Sequence, residues 1–453
     1  MTDEFARTRS AGGLPRNQDG QLARRVSLSA SMHRRDSSAA SVKSHEPKAT
    51  SLRRKLSLAV TFRGNRPSTK PEPDKADTAH GASKGEQCFV ELNTNVLQIK
   101  QANSSERKHQ SARFDDYVSV VSLDGAKITV NRGDLSLAIQ PNSHGSRGHE
   151  ILFLRHETAL ELWEQQLRAV SERKYETWYA SGAQIGEGAY AKIYLAVHKE
   201  TKEPVAVKVI QRRDFREPKL HDCLERELAL LRFVHHPAVL GCLDIFDADG
   251  VVRVVMRLCS GGDLRKFFVT DGNDLPENAL KHIMRQIVQG AAYLHSMGVI
   301  HRDIKLQNIL FVDQVTLGEH EQSISIKLVD FGLTATTYDS QTQEMVGHKS
   351  VYGSPFYLAP EIVRQEGYST GVDVWAIGMC CFAMLLKEFP FETSTPRQTY
   401  KMIAEADLRY TRYPKFFTLS EQLQQFIQSA LDPSAQSRPS AEQLLQHPWL
   451  SAI

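Results

Sequence analysis

The strongest constraint on this chain is one short run, Val299-Ile300-His301-Arg302-Asp303-Ile304-Lys305-Leu306-Gln307-Asn308-Ile309-Leu310-Phe311. It is followed in order by Val329-Asp330-Phe331-Gly332 and by Ala359-Pro360-Glu361. Taken singly, each residue has an ordinary reading, His301 or Phe331 as part of a core. Their joint occurrence in this order and spacing is not accidental. Upstream, Ile185-Gly186-Glu187-Gly188-Ala189-Tyr190-Ala191 forms a G-x-G-x-x-A element, which alone is ambiguous because a dinucleotide-binding turn reads the same way. The residues after it separate the two readings. A dinucleotide turn opens a helix, whereas Lys192 to Val197 alternates like a strand and leads to a second strand over Pro204 to Val209. The element is therefore the tip of a hairpin whose glycines let backbone N–H groups approach phosphates, and it lacks the Gly-Lys-Ser/Thr of a Walker loop.

In identity, order and spacing these motifs resemble the eukaryotic protein kinase family over residues 175–450. The resemblance implies an α+β, bilobal kinase fold with ATP in the cleft between a small, mainly β lobe and a larger helical one. It implies that Asp303 orients an acceptor hydroxyl and takes its proton, that Lys305 touches the transferring phosphate, and that Asn308 and Asp330 offer hard oxygens to Mg2+. Lys208 is the expected partner of the ATP phosphates, held by a helical carboxylate. Glu227 is favoured for that part because Leu228 and Leu231 mark the buried stripe beside it and His235-His236-Pro237 comes after the helix, with Glu225 as the competitor. By the same resemblance Ile185, Gly186, Gly188 and Ile193 cover the nucleotide, and Ala206 and Leu310 sandwich the adenine. Met256 is the gatekeeper, Arg257, Leu258 and Cys259 form the hinge, and Asp263 contacts ribose or a basic substrate residue. Asp373 is expected to brace the catalytic loop, and Glu361 to pair with Arg438. The stretch ending His447-Pro448-Trp449-Leu450 is similar to the calcium/calmodulin-dependent group.

There are three departures from the family pattern. Ala191 replaces the third loop glycine, Arg257 a usual hinge acid, and Leu306-Gln307 the common Pro-Glu, which removes a carboxylate able to recognise a basic residue near the acceptor. Lys305, two residues beyond Asp303, is the serine/threonine pattern. The expected activity is transfer of the γ-phosphoryl group of ATP to serine or threonine on protein substrates in intracellular signalling. The alternatives are a pseudokinase scaffold, which the intact Lys208, Asp303, Asn308 and Asp330 disfavour, and a phosphoinositide-directed membrane adaptor.

That last alternative comes from the residues before the kinase-like region. Residues 1–80 hold 16 Lys/Arg against 8 Asp/Glu, with many Ser and Thr and no Trp or Tyr. Such a segment buries too little apolar area to offset its ordering entropy, so residues 1–85 are expected to be a disordered basic tail. In it Ser27, Ser37 and Ser57 each have Arg three residues upstream, the spacing a basophilic kinase reads. From residue 86 short β-branched runs predict strands, and Asp124-Gly125 between two of them predicts a tight hairpin. Thr158-Ala159-Leu160-Glu161 has capping-box spacing ahead of a helix whose Leu160, Trp163, Leu167 and Val170 share one face. Strands closed by one such helix resemble a small, β-rich pleckstrin homology domain over residues 86–172. Its implied ligand is a phosphoinositide or a partner protein, the latter favoured because only Lys84 precedes the first run and a clear first strand is missing. Nucleic acid is not expected. The tail and residues 86–172, joined to the kinase-like region by about Ser171 to Glu176, are expected to restrain it.

The six cysteines show no framework spacing, no run of about 18 apolar residues occurs, and the N-terminus lacks an apolar signal core. The expected location is cytoplasmic, with recruitment to membrane or nucleus. In the segment between Asp330 and Glu361, Ser354 is assigned by resemblance to the wall beside the acceptor, bonding Asp303 and Lys305. Ser350 occupies the place of the phosphorylated residue, whose phosphate would meet the otherwise unpaired Arg302. The alternative is an unmodified loop serine.

Overall fold

The computed structural model describes residues 56–63, 86–93, 96–101, 117–123, 125–140, 150–154, 156–188, 190–316, 323–339, 344–345 and 348–451. Seven strands form one antiparallel sheet at the N-terminal side: β1 (Leu56–Arg63), β2 (Glu86–Asn93), β3 (Val96–Gln101), β4 (Tyr117–Ser122), β5 (Lys127–Asn131), β6 (Ser136–Gln140) and β7 (Glu150–Phe153). Their order is β4-β3-β2-β1-β7-β6-β5. The sheet thus begins at Leu56, inside the segment expected to be a tail, and β1 joins its two halves through Leu58↔Val90 on one side and Phe62↔Leu152 on the other. Leu56, Leu58, Val60 and Phe62 alternate with Ser57, Ala59 and Thr61, a period-two pattern that the Ser/Arg-rich composition of the whole segment hides. Ser57 accordingly lies in a strand, opposite Glu91. Ser27 and Ser37 lie outside the described residues.

The Asp124-Gly125 expectation is half corrected. A turn forms, with Gly125 at φ +63° and the Ala126 N–H donating to the Leu123 carbonyl at 3.0 Å, while Asp124 is outside the described residues. It closes no hairpin, because β4 pairs with β3 and β5 with β6, at opposite edges of the sheet. Turn chemistry fixes local dihedrals, but the core chooses the partner strand: Leu123, Ile128, Leu137, Ile139 and Leu152 pack under helix α1 (Glu157–Ser171), from which Leu160, Trp163 and Leu167 point in. The capping-box reading is also corrected. His156 precedes the first helical residue and no side chain caps the end, so Thr158 lies within the first turn.

After α1 the chain is clamped rather than loosely linked. Arg173 sets two guanidinium nitrogens on the Asp244 carboxylate, one of them at 3.1 Å, and lies 5.2 Å over the Trp178 ring and 5.3 Å over Phe246. The single turn α2 (Tyr175–Trp178) then leads into a five-stranded antiparallel sheet of β8 (Tyr179–Glu187), β9 (Ala191–His198), β10 (Pro204–Gln211), β11 (Cys242–Ala248) and β12 (Val251–Arg257), ordered β11-β12-β10-β9-β8. Tyr175, Tyr179, Val205, Val207, Phe246 and Val255 cover one face of it. The other face meets α3 (Pro218–Phe233) through Ile210, Ile245, Val252 and Val254.

Burial raises the Asp244 pKa despite the opposing charge of Arg173. A raised acid favours the protonated form, so stability falls as pH rises through its folded value. Arg173→Met removes the counter-charge and pushes that value further up. Breaking a buried pair costs about 3–5 kcal/mol, so the thermal midpoint of the variant should drop more at pH 8 than at pH 5. Equal drops at both pH values, followed by tryptophan fluorescence, would show that the Asp244 charge is not what Arg173 holds.

The rest is mostly helical. It is built on α4 (Glu277–Ser296) and on α5 (Gly371–Leu386), in which every residue from Val372 to Met384 is buried. A helix apolar on all sides belongs in the centre of a domain, and Asp373 is the one carboxylate it carries there.

Candidate active site

Strand alternation aims Lys208. Val205 and Val207 of β10 face the outer cluster, so Ala206, Lys208 and Ile210 face the opposite side, where α3 lies. There Lys208 Nζ donates to Glu227 Oε1 at 2.5 Å. Glu225, the competitor, instead accepts from Arg212 at 2.7 Å, beside Asp247. The two acids are two residues apart on a helix and therefore point in different directions. Gly332 sits where a Cβ would lie 3.3 Å from Asp330 Oδ1 and 3.7 Å from Glu227 Oε2, so the Lys208–Glu227 pair and Asp330 converge on one spot.

The catalytic loop is held from below by Asp373. Its Oδ2 accepts from the His301 N–H and from His295 Nε2, each at 2.8 Å, and its Oδ1 from the Arg302 N–H at 2.9 Å. Burial works against its charge, yet the hydrogen bond and charge of His295, with His301, hold its pKa below the usual carboxylate range. Arg302 adopts a left-handed φ of +63°, a conformation that costs energy and that these bonds maintain. The result is a fixed Asp303, 3% exposed. Its Oδ1 accepts from Ser354 Oγ at 3.1 Å, and its Oδ2 from Lys305 Nζ at 2.5 Å and Asn308 Nδ2 at 3.0 Å. Lys305 also donates to Ser354 at 3.0 Å, as the sequence implied.

Asn308 spends its amide N–H groups on Asp303, which leaves its carbonyl oxygen directed elsewhere. The antiparallel pairing of Ile309–Phe311 with Ile326–Leu328, and the Val329 N–H on the Asn308 main-chain carbonyl at 2.9 Å, bring Asp330 alongside. Asp330 too has a positive φ, +70°. One amide oxygen and one carboxylate are a poor set for zinc but suit Mg2+, which takes one or two protein oxygens and completes its shell with phosphate and water. The described residues contain no group of three or more His, Cys, Asp and Glu placed to hold a metal.

The nucleotide-side residues fall on the same cleft elements. Gly186 pairs with Ile193, the Gly188 N–H closes the hairpin onto the Ala191 carbonyl at 2.7 Å, and Ala206 pairs with Met256. Ile185 is half-buried, as are Leu258 and Cys259, while Arg257 is exposed. Burial pushes the Cys259 thiol up to about 11, so it is a thiol at neutral pH. Leu310 is buried and bridges Asp263, whose carboxylate accepts the Lys266 N–H at 2.9 Å. Farther out, Arg438 holds Glu361 with bonds of 2.7 and 3.2 Å.

The expectation for Arg302 needs correction. Its guanidinium is already met by the Leu333 carbonyl at 2.5 Å, the Thr334 carbonyl at 3.1 Å and Tyr368 Oη at 3.4 Å, with the Tyr352 ring at 4.9 Å. These partners are dipoles and a π-face; none is an anion. Arg173, His295 and Tyr368 were missed in the sequence because none belongs to a short motif.

A hairpin over a Lys–Glu pair, a braced Asp303 and an Asn308–Asp330 oxygen pair define a phosphotransferase-type cleft between a β lobe and a helical lobe. The protein kinase domain family model matches residues 179–450, and the chain belongs to that family. It is 28% identical to mouse (Mus musculus) serine/threonine-protein kinase 33 over 61% of this chain and 55% of that protein. It is 31% identical to CBL-interacting protein kinase 31 of Oryza sativa over 60% and 57% of the two chains, and 31% identical to the serine/threonine-protein kinase H1 homolog of Danio rerio over 63% and 64%. These relatives put the catalytic domain among the serine/threonine kinases, and the chain spans less than two thirds of the length of each.

Proposed function

We propose that this protein transfers the γ-phosphoryl group of ATP to serine or threonine hydroxyls of protein substrates, acting in cytoplasmic signalling. The observation that carries the reading is the Asp303 carboxylate, held by Lys305, Asn308 and Ser354 beside Asp330. The acceptor hydroxyl gives its proton to Asp303 while its oxygen bonds to the γ-phosphorus; the bond from that phosphorus to the bridging oxygen breaks, and ADP departs with the electron pair. Lys208, fixed by Glu227, positions the phosphates, and Lys305 offsets charge on the group in transit. Asn308 and Asp330 would hold Mg2+, which when bound neutralises charge on the phosphates. Seven strands closed by α1 also support a pleckstrin-homology-like reading of residues 56–171, with a docking or restraining role. No helix of the described residues is long and apolar enough to cross a membrane. Labelled-phosphate transfer from ATP to a peptide array, with and without phosphoinositide vesicles, tests the whole reading. Absence of transfer would favour a scaffold, and vesicle-dependent transfer would favour lipid recruitment.

Activation is assigned to Ser350. It is exposed, its carbonyl accepts from Tyr368 Oη at 2.9 Å, and the same hydroxyl meets Arg302. Two residues earlier, His348 has its pKa lowered by burial, and the charges of Arg302 and Arg226 act on it in the same sense. A phosphate adds roughly −1.5 to −2 charge and makes one to three charge-assisted bonds. Ser350→Ala should lower turnover about tenfold or more, one such bond being worth about 1.5–3 kcal/mol. Phosphopeptide mapping checks it: full activity with residue 350 unmodified would remove Ser350 as the switch.

A further inference from the structure

The helix that carries Glu227 is gripped unevenly. Leu224, Leu228, Leu230 and Leu231 of α3 are buried, whereas none of residues 218–223 is, and no side chain caps the N-terminal end. Apolar burial is non-directional, so these leucines press α3 onto the sheet without fixing its rotation. Rotation decides whether Glu227 reaches Lys208. Directional contacts are needed for that, and β10 with the turn after it supplies two.

One is the Lys208–Glu227 bond, whose Nζ must also serve the nucleotide phosphates. The other begins four residues later at Arg212, the first residue of the single turn Arg212–Phe215. Its main-chain N–H donates to the Gly250 carbonyl at 2.9 Å. Its guanidinium is bidentate on Asp247 of β11, with Nε on Oδ1 at 2.8 Å and Nη2 on Oδ2. The two side chains are 9% and 8% exposed, so this pair fixes the guanidinium to the sheet. The remaining arm, Nη1, donates to Glu225 Oε1 at 2.7 Å, with His221 Nε2 3.8 Å from the same oxygen. A surface ion pair gains little when both side chains must be ordered, but here only Glu225, with a side chain 40% exposed, has freedom left to lose.

At about 3.6 residues per turn, Glu225 and Glu227 stand roughly 200° apart around α3, so holding both blocks rotation in either sense. We propose that Arg212 is a positioning residue for phosphoryl transfer: through Glu225 it fixes the rotation of α3, and so keeps Glu227 on Lys208 while Lys208 engages the phosphates. This rests on the kinase reading above and adds to it a residue that acts only through Glu225.

The test is steady-state transfer from ATP and Mg2+ to a peptide by the full chain, comparing wild type, Glu225→Ala, Arg212→Gln and the double variant. Glu225→Ala leaves the Arg212–Asp247 pair in place and puts the best helix former on a partly exposed position, so its thermal midpoint should match wild type. Its kcat should fall about tenfold, about 1.4 kcal/mol, and KM for ATP should rise while KM for the peptide stays. The double variant should be no slower than Arg212→Gln alone, because both changes cut one link. Wild-type kcat in Glu225→Ala, a rate loss matched by a lower thermal midpoint, or losses that multiply in the double variant would each overturn the inference and leave the kinase reading standing. Absence of transfer by the wild type overturns both.

Discussion

Replacing Asp303 with Asn leaves ATP affinity within a few-fold of wild type while phosphoryl transfer falls by about 10²–10⁴, the range a positioned general base supplies. The substitution keeps shape and removes only the proton acceptor. Asp303 bonds to Ser354, Lys305 and Asn308, and none of these bonds involves β8 to β10. Binding and chemistry are therefore separable at this residue. Nucleotide titration alongside single-turnover transfer checks it, and retained turnover would end the role assigned to Asp303.

Replacing Lys208 with Met has the complementary signature. The 2.5 Å contact with Glu227 disappears, which leaves a carboxylate of 12% side-chain exposure facing the place the phosphates occupy. Like charges then meet where opposite ones did. Misplacing a reacting group by about 1 Å costs on the order of 10²-fold in rate, so kcat should fall at least that far and KM for ATP should rise. Loss of kcat at unchanged KM for ATP would move Lys208 away from nucleotide positioning, and wild-type activity would remove it from the site.

The contrast between these residues shows how sequence and structure divided the problem. Asp303, Lys305 and Asn308 sit within six consecutive residues, so their proximity is imposed by chain connectivity. Lys208 and Glu227 lie 19 residues apart, on a strand and a helix, and their pairing depends on which faces of those elements are buried. The stripe of Leu228 and Leu231 narrowed the choice without deciding it. Arg212, just past the end of β10, decided it by taking Glu225.

What the sequence by itself determined is chemistry carried by short contiguous motifs: the phosphate-covering hairpin, the catalytic loop, and the Asp330 and Glu361 segments. Each is specified by neighbours in the chain, so reading them requires no knowledge of packing. Only the tertiary structure decided the features set by distant partners. The alternation in β1 became a strand because β2 and β7 were there to pair with it, although the surrounding composition argued for a tail. The Gly125 turn kept its dihedral but joined opposite edges of a sheet, because strand pairing follows the buried face and not the turn. Arg302 found carbonyls, a hydroxyl and a ring where an unmet charge was expected, and Arg173 found Asp244, 71 residues away. Long-range electrostatics of this kind leave no local pattern, since a guanidinium reads the same in sequence whether solvent or a buried carboxylate receives it.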